Sequence, residues 1–153
     1  MPQHESVKKM WLAYHASLGI EAPAEPIADH FCDNENDANE LAALVRDGVK
    51  RATAGALWSY EKAGQALPAV GGIFIVTNWA GVAICVVKST KVSIIPFNEI
   101  TEEHAQREGE GDKSLAYWRR GHLAFFENEF KRLGLTFSES MPIVFEEFER
   151  VFP

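Results

Sequence analysis

The sequence predicts an α+β fold in which helices surround a mostly antiparallel sheet that closes into a small barrel. Three observations carry this. Apolar residues recur at helical spacing near both ends of the chain, over 5–18 and 114–133. β-Branched runs follow one another at Ile73–Thr77, Val82–Val87 and Val92–Ile95, with Asn78-Trp79-Ala80-Gly81 as a hairpin turn between the first two. A last apolar-rich segment, Pro142–Phe152, reads as a closing strand.

The elements follow in chain order. Val7, Met10, Trp11, Tyr14 and Leu18 place an amphipathic helix over residues 5–18. Pro23 and Pro26 make Glu21–Pro26 a connection. Leu41, Ala42, Leu44 and Val45 predict a helix over 38–47, with Asp37 as N-cap and Gly48 as C-cap. Residues 53–63 are ambiguous, and a short helix carrying Leu57, Trp58 and Tyr60 is one reading. Pro68 and Gly71-Gly72 mark a loop. Residues 99–107 read as a helix capped by Asn98, and Asp112 caps a long helix, Ser114–Leu133, that Gly134 ends.

At 153 residues the chain is long enough for one domain with a real core. The net charge of -7 gives no overall field to draw in a polyanion, so no double-stranded DNA partner is expected. No apolar run reaches the length of a membrane span, and the N-terminus lacks a secretory pattern. Cys32 and Cys85 have no metal-binding or redox spacing. These points give a cytoplasmic protein with reduced thiols as the expectation.

Two segments carry candidate chemistry. Gly48-Val49-Lys50-Arg51-Ala52-Thr53 places an ammonium and a hydroxyl three residues apart. A lysine whose pKa falls through burial could take the threonine proton and make a nucleophile. The plain alternative is a surface lysine after a helix. The second segment, Thr101–Asp112, holds Glu102, Glu103, Glu108 and Glu110 and runs into Gly109-Glu110-Gly111-Asp112. Its carboxylates serve as proton donors, lysine partners or metal ligands, or form a solvated face. On the long helix Trp118, His122 and Phe125 share a face with Glu129, which reads as core or as a base-stacking platform. Arg119 and Arg120 are anion contacts or solvated charges. His122 has no Ser/Asp partner by spacing, and no zinc motif appears.

These residues together resemble the ASCH domains of the PUA-like superfamily. The likeness runs through Gly48-x-Lys50-x-x-Thr53, Trp58-x-Tyr60, Val70-Gly71 and Val92-x-x-x-Pro96-Phe97. It continues in Glu108-Gly109-Glu110-Gly111-Asp112-x-Ser114-Leu115-x-x-Trp118-Arg119 and His122-x-x-Phe125-Phe126. The EGEGD-x-SL-x-x-WR block is the most specific part and points to one bacterial subgroup. The resemblance implies a small barrel with surrounding helices over residues 28–153, and leaves 1–27 as an N-terminal helical extension. It also implies action on RNA or a modified nucleoside. The leading expectation is a hydrolase that removes an acyl group from an N-acylated cytidine, with Lys50, Thr53 and Glu108 catalytic. Arg51, Trp58, Tyr60, Glu110, Ser114, Trp118 and Arg119 are the implied substrate contacts. The alternatives are a single-stranded RNA ribonuclease in the same cleft, with a divalent metal on Glu108 and Glu110, and a non-catalytic RNA-binding module. No cofactor or metal is implied for the amide hydrolase, and a homodimer is left open. The family's Thr-x-Arg continuation is absent, since Thr53-Ala54-Gly55 stands there.

Overall fold

A computed structural model describes residues 2–153. Helix α1 (Glu5–Ser17) is followed by strand β1 (Ala28–Asp29), helix α2 (Glu35–Arg46), strand β2 (Ala52–Ala56) and helix α3 (Leu57–Ala63). Strands β3 (Ile73–Thr77) and β4 (Ala83–Pro96) come next, then a 3-10 turn at Phe97–Glu99. Helices α4 (Glu102–Glu108) and α5 (Leu115–Leu133) and strand β5 (Pro142–Phe152) complete the chain. The two segments expected at 82–87 and 92–95 are one continuous strand, β4.

The strands form one sheet in the order β1-β3-β4-β5-β2. All pairings are antiparallel except β1 with β3. The expected barrel is therefore corrected to an open sheet. Closure needs every strand to have two neighbours. Here β1 is two residues long and pairs only with β3, while β2 pairs only with β5. The outer side of the β2 segment meets α4 instead, where the Arg51 N–H donates to the Arg107 carbonyl at 2.8 Å.

Helices cover both faces of the sheet. Successive strand residues point to opposite sides. Ile75 and Val86 accordingly receive Val7, Trp11 and Tyr14 of α1, whereas Val76, Cys85 and Val87 receive Ala42 and Val45 of α2. The largest core lies under α5, whose Trp118, Phe126 and Phe130 pack on Phe97, Ile143 and Phe145. Each such buried aromatic contributes about 1.5–3 kcal/mol from area removed from water.

Several caps differ from expectation by a few residues. Asn34, not Asp37, caps α2, and its side chain accepts the Asp37 N–H at 2.9 Å. Thr101, not Asn98, caps α4 through a capping box with His104. Ser114, not Asp112, caps α5, while Asp112 accepts the Ser114 N–H at 2.8 Å. In each case the chosen residue reaches an N–H two or three positions on, which satisfies a donor the helix leaves open.

Candidate functional site

Two helix ends bring the charged residues together. After α2, Gly48 takes a left-handed φ of +77°, and the N–H groups of Val49 and Lys50 both return to the Leu44 carbonyl. This tight exit turns the Lys50 side chain inward. Helix α4 ends with Glu108, and its left-handed cap Gly109 lies directly on the first turn. A Cβ at position 109 would sit 2.8 Å from the Val49 carbonyl carbon and closer still to its oxygen, so only glycine permits the contact. The backbone carrying Glu108 and Glu110 is thus docked against the backbone carrying Lys50.

Lys50 is 2% exposed. Its ammonium donates to the Ala52 carbonyl at 2.7 Å and to Glu108 Oε1 at 3.2 Å, with Glu110 Oε2 at 3.5 Å. It also lies 5.3 Å from the centroid of the Phe31 ring, within cation–π reach. Glu108 Oε2 accepts the Trp118 indole N–H, and His122 Nε2 stands 3.4 Å away. His122 Nδ1 is 2.9 Å from the Trp118 carbonyl, which can only accept, so Nδ1 carries a proton. Protonation of Nε2 as well then turns its approach to Glu108 into an ion pair.

The electrostatics follow from this packing. Burial by itself disfavours the Lys50 ammonium, but Glu110 and Glu108 outweigh it and raise its pKa. Lys50 is therefore an ammonium at neutral pH, and in the free protein it is no base for Thr53. Burial opposes the Glu108 carboxylate, yet the His122 and Lys50 charges with the Trp118 hydrogen bond hold it well below the usual range. Burial raises Glu110, and the Glu108 charge adds to this against the opposing pull of Lys50. Burial disfavours His122 as an imidazolium, but Glu108 overcomes that and raises it.

His122 gives a testable pH dependence. A raised pKa means the folded state binds the proton more tightly, so this contribution is full below the ordinary value of 6.5 and declines as pH rises through the folded value. Urea unfolding across pH 6–9 should show wild-type stability falling with pH, and His122→Asn should flatten that slope. An unchanged slope would show that folding does not shift the His122 pKa.

The group opens onto a pocket of about 300 Å³ between α2, β2, α4 and α5. Lys50, Thr53, Glu108, Glu110, Ser114 and Trp118 line it. Arg51, Trp58, Tyr60 and Arg119 do not. Arg51 is exposed, Trp58 stacks on Phe130 at 6.0 Å, and Arg119 pairs with Glu139 at 3.0 Å. Tyr60 packs against Gly55 of β2. Trp118 is 3% exposed and stacked on His122 at 4.1 Å, so its ring is closed to a ligand. Sequence reasoning passed over Phe31 and Tyr117 in the wall, the acids Asp33, Asp37 and Glu40, and the pairing of His122 with Glu108. The spacing of His122 and Trp118 on one helix face was the available signal for that last contact.

Glu108, Glu110 and His122 each bring a ligand atom within 4.8 Å of the others. They do not suit a divalent metal as arranged. The Lys50 ammonium already bridges both carboxylates, and both Glu108 oxygens are engaged. A dication placed there would face an ammonium and an imidazolium at close range.

Fold and site define a small α+β domain with a charged pocket between the β2 edge of the sheet and the helices beside it. A model of the ASCH domain family matches residues 27–152, and the chain belongs to that family. The crystal structure of an ASCH domain from Lactobacillus crispatus JV V101 superposes with a TM-score of 0.91 at 36% identity, covering 100% of this chain and 98% of that one. The crystal structure of a protein from Enterococcus faecalis V583, assigned to family DUF984, gives a TM-score of 0.88 at 29% identity, covering 97% and 89%. No curated protein matches this chain. Among the described residues no helix is long and apolar enough to cross a membrane.

Proposed function

We propose that this chain is a nucleobase-binding module whose pocket takes one unpaired base, presented as a free nucleoside or in single-stranded RNA. We place it in the PUA-like subgroup that carries the Glu108–Arg119 block. The observation that carries the reading is a pocket of about 300 Å³ lined by a saturated charge cluster and by aromatic side chains. Such a volume suits a small heterocycle rather than a duplex. Tyr117, 40% exposed, lines the pocket between Gly111 and the Arg120 guanidinium, which lies 5.9 Å from its ring centroid. Asp33, Asp37 and Glu40 repel a phosphate brought into the opening, so the part of the ligand that enters is the base.

A second reading, amide hydrolysis of an N-acylated cytidine in the same pocket, is favoured by the Lys50–Glu108 contact at 3.2 Å with Thr53 lining the same space. In that case Lys50 serves as a fixed positive charge, the Thr53 oxygen bonds to the acyl carbon as the C–N bond breaks, its proton passes to the departing exocyclic amine, and water then releases the acyl group as a carboxylic acid.

Equilibrium binding of cytidine, N4-acetylcytidine and a short unstructured RNA tests both readings. Saturable binding is expected, weakened about 5- to 150-fold in Tyr117→Ala by loss of an aromatic contact worth roughly 1–3 kcal/mol. A folded wild type that binds none of the three overturns the pocket reading. Chromatography of the N4-acetylcytidine mixture decides hydrolysis, through cytidine release that Thr53→Ala abolishes.

A further inference from the structure

We propose that Glu110, not Glu108, is the carboxylate that meets the ligand, and that it selects a base carrying an exocyclic N–H donor over one carrying a carbonyl there. This rests on the nucleobase reading of the pocket and names the residue that sets its specificity.

A hydrogen-bond inventory separates the two glutamates. The Lys50 ammonium has three N–H groups and three acceptors, Ala52, Glu108 and Glu110, so it has none left for a ligand. Glu108 is equally occupied. Lys50 holds Oε1, Trp118 and His122 hold Oε2, and the side chain is 1% exposed. Glu108 is thus a positioning residue that fixes Lys50, Trp118 and His122. Glu110 differs on each point. Lys50 at 3.5 Å is its single salt-bridge partner among the described residues, and its side chain is 18% exposed and lines the pocket.

The turn that carries Glu110 is built to hold it there. Gly109 and Gly111 flank it, both at positive φ. A Cβ on Gly109 would strike the Val49 carbonyl, and a Cβ on Gly111 would strike the Tyr117 ring. Glu110 therefore sits between the lysine turn on one side and the exposed aromatic wall on the other. A base whose edge enters the pocket beside Tyr117 meets this carboxylate, and a carboxylate accepts hydrogen bonds and does not donate them. An amino group satisfies it, while a carbonyl in the same place leaves two acceptors facing each other, which rejects the wrong base.

The groups facing Glu110 are Lys50 after α2, Glu108 at the end of α4, and His122 and Tyr117 on α5. Cys32, ahead of α2, and the α2 acids Asp37 and Glu40 share the pocket. Burial and Glu108 make Glu110 easier to protonate than a free glutamate. Selectivity should therefore be greatest at alkaline pH and weaken as pH falls.

The test compares cytidine and uridine affinities at pH 8 for wild type, Glu110→Gln and Glu108→Gln, with thermal unfolding of each. Wild type is expected to prefer cytidine at least tenfold. Glu110→Gln, whose amide both donates and accepts, should bring that ratio near one and lower the unfolding midpoint less than Glu108→Gln does. Glu108→Gln should lower the midpoint and keep the ratio in whatever binding remains. A wild type that binds neither nucleoside nor RNA overturns the pocket reading together with this one. Wild-type binding whose ratio Glu110→Gln leaves intact overturns the Glu110 assignment alone.

Discussion

Replacing Lys50 with alanine should destabilise the folded protein by about 3–5 kcal/mol, the usual penalty for removing one partner of a buried ion pair. For a chain of this size that lowers the unfolding midpoint by roughly 10 °C. The reason is local. Glu108 and Glu110 would keep their burial and lose the ammonium that bridges them at 3.2 and 3.5 Å. The Ala52 carbonyl would also lose its 2.7 Å donor. Combining Lys50→Met with Glu108→Gln should recover part of the loss, because both charges leave together. A Lys50→Ala midpoint within about 2 °C of wild type would refute this account of the cluster, given the shift per kcal/mol for domains of this size. The same result bears on function: lost activity in Lys50→Ala is ambiguous, whereas Thr53→Ala removes a half-buried hydroxyl and leaves the ion pair in place.

Gly109→Ala is expected to be nearly as severe. The left-handed φ of +68° alone costs a non-glycine residue about 1–2 kcal/mol. The added Cβ also meets backbone, the Val49 carbonyl, which cannot rotate away as a side chain would. Relief requires α4 to move off the lysine turn, which pulls Glu108 and Glu110 from Lys50. A total above about 3 kcal/mol is expected from overlap and φ strain combined. Gly134→Ala is the control. Its φ of +71° is similar, but nothing lies within 4 Å of its Cβ position, so only the backbone penalty applies. Equal losses in denaturant unfolding for the two variants would show that the α4 contact contributes nothing.

The fold was legible wherever a single segment carries its own signal. The spacing of Val7, Trp11 and Tyr14 locates α1, and β-branched runs locate β3 and both ends of β4. Strand β2 was not legible. Ala52-Thr53-Ala54-Gly55-Ala56 has little intrinsic strand preference and is extended because it pairs with Ile143–Glu147 of β5. β1 is a two-residue parallel bridge for which no local pattern exists. The barrel expectation failed for a related reason, since closure depends on the lengths and partners of edge strands.

The candidate site divides in the same way. Lys50, Thr53, Glu108, Glu110, Ser114 and Trp118 were picked out by residue type and family likeness, and they line one pocket. Arg51, Trp58, Tyr60 and Arg119 were picked out by the same means and lie elsewhere, because side-chain direction is set by packing. His122 was passed over for want of a partner. Its partner is Glu108, at the end of another helix.

By itself the sequence determined the α+β class, most helices and strands, and the residue types available for chemistry, since periodicity and capping are properties of neighbouring residues. Only the tertiary structure decided which charges meet and which protons they hold. Glu108 is depressed, Glu110 and His122 are raised, and Lys50 is kept charged, because desolvation and Coulomb energy depend on distances across 58 residues of chain and not on the residues alone.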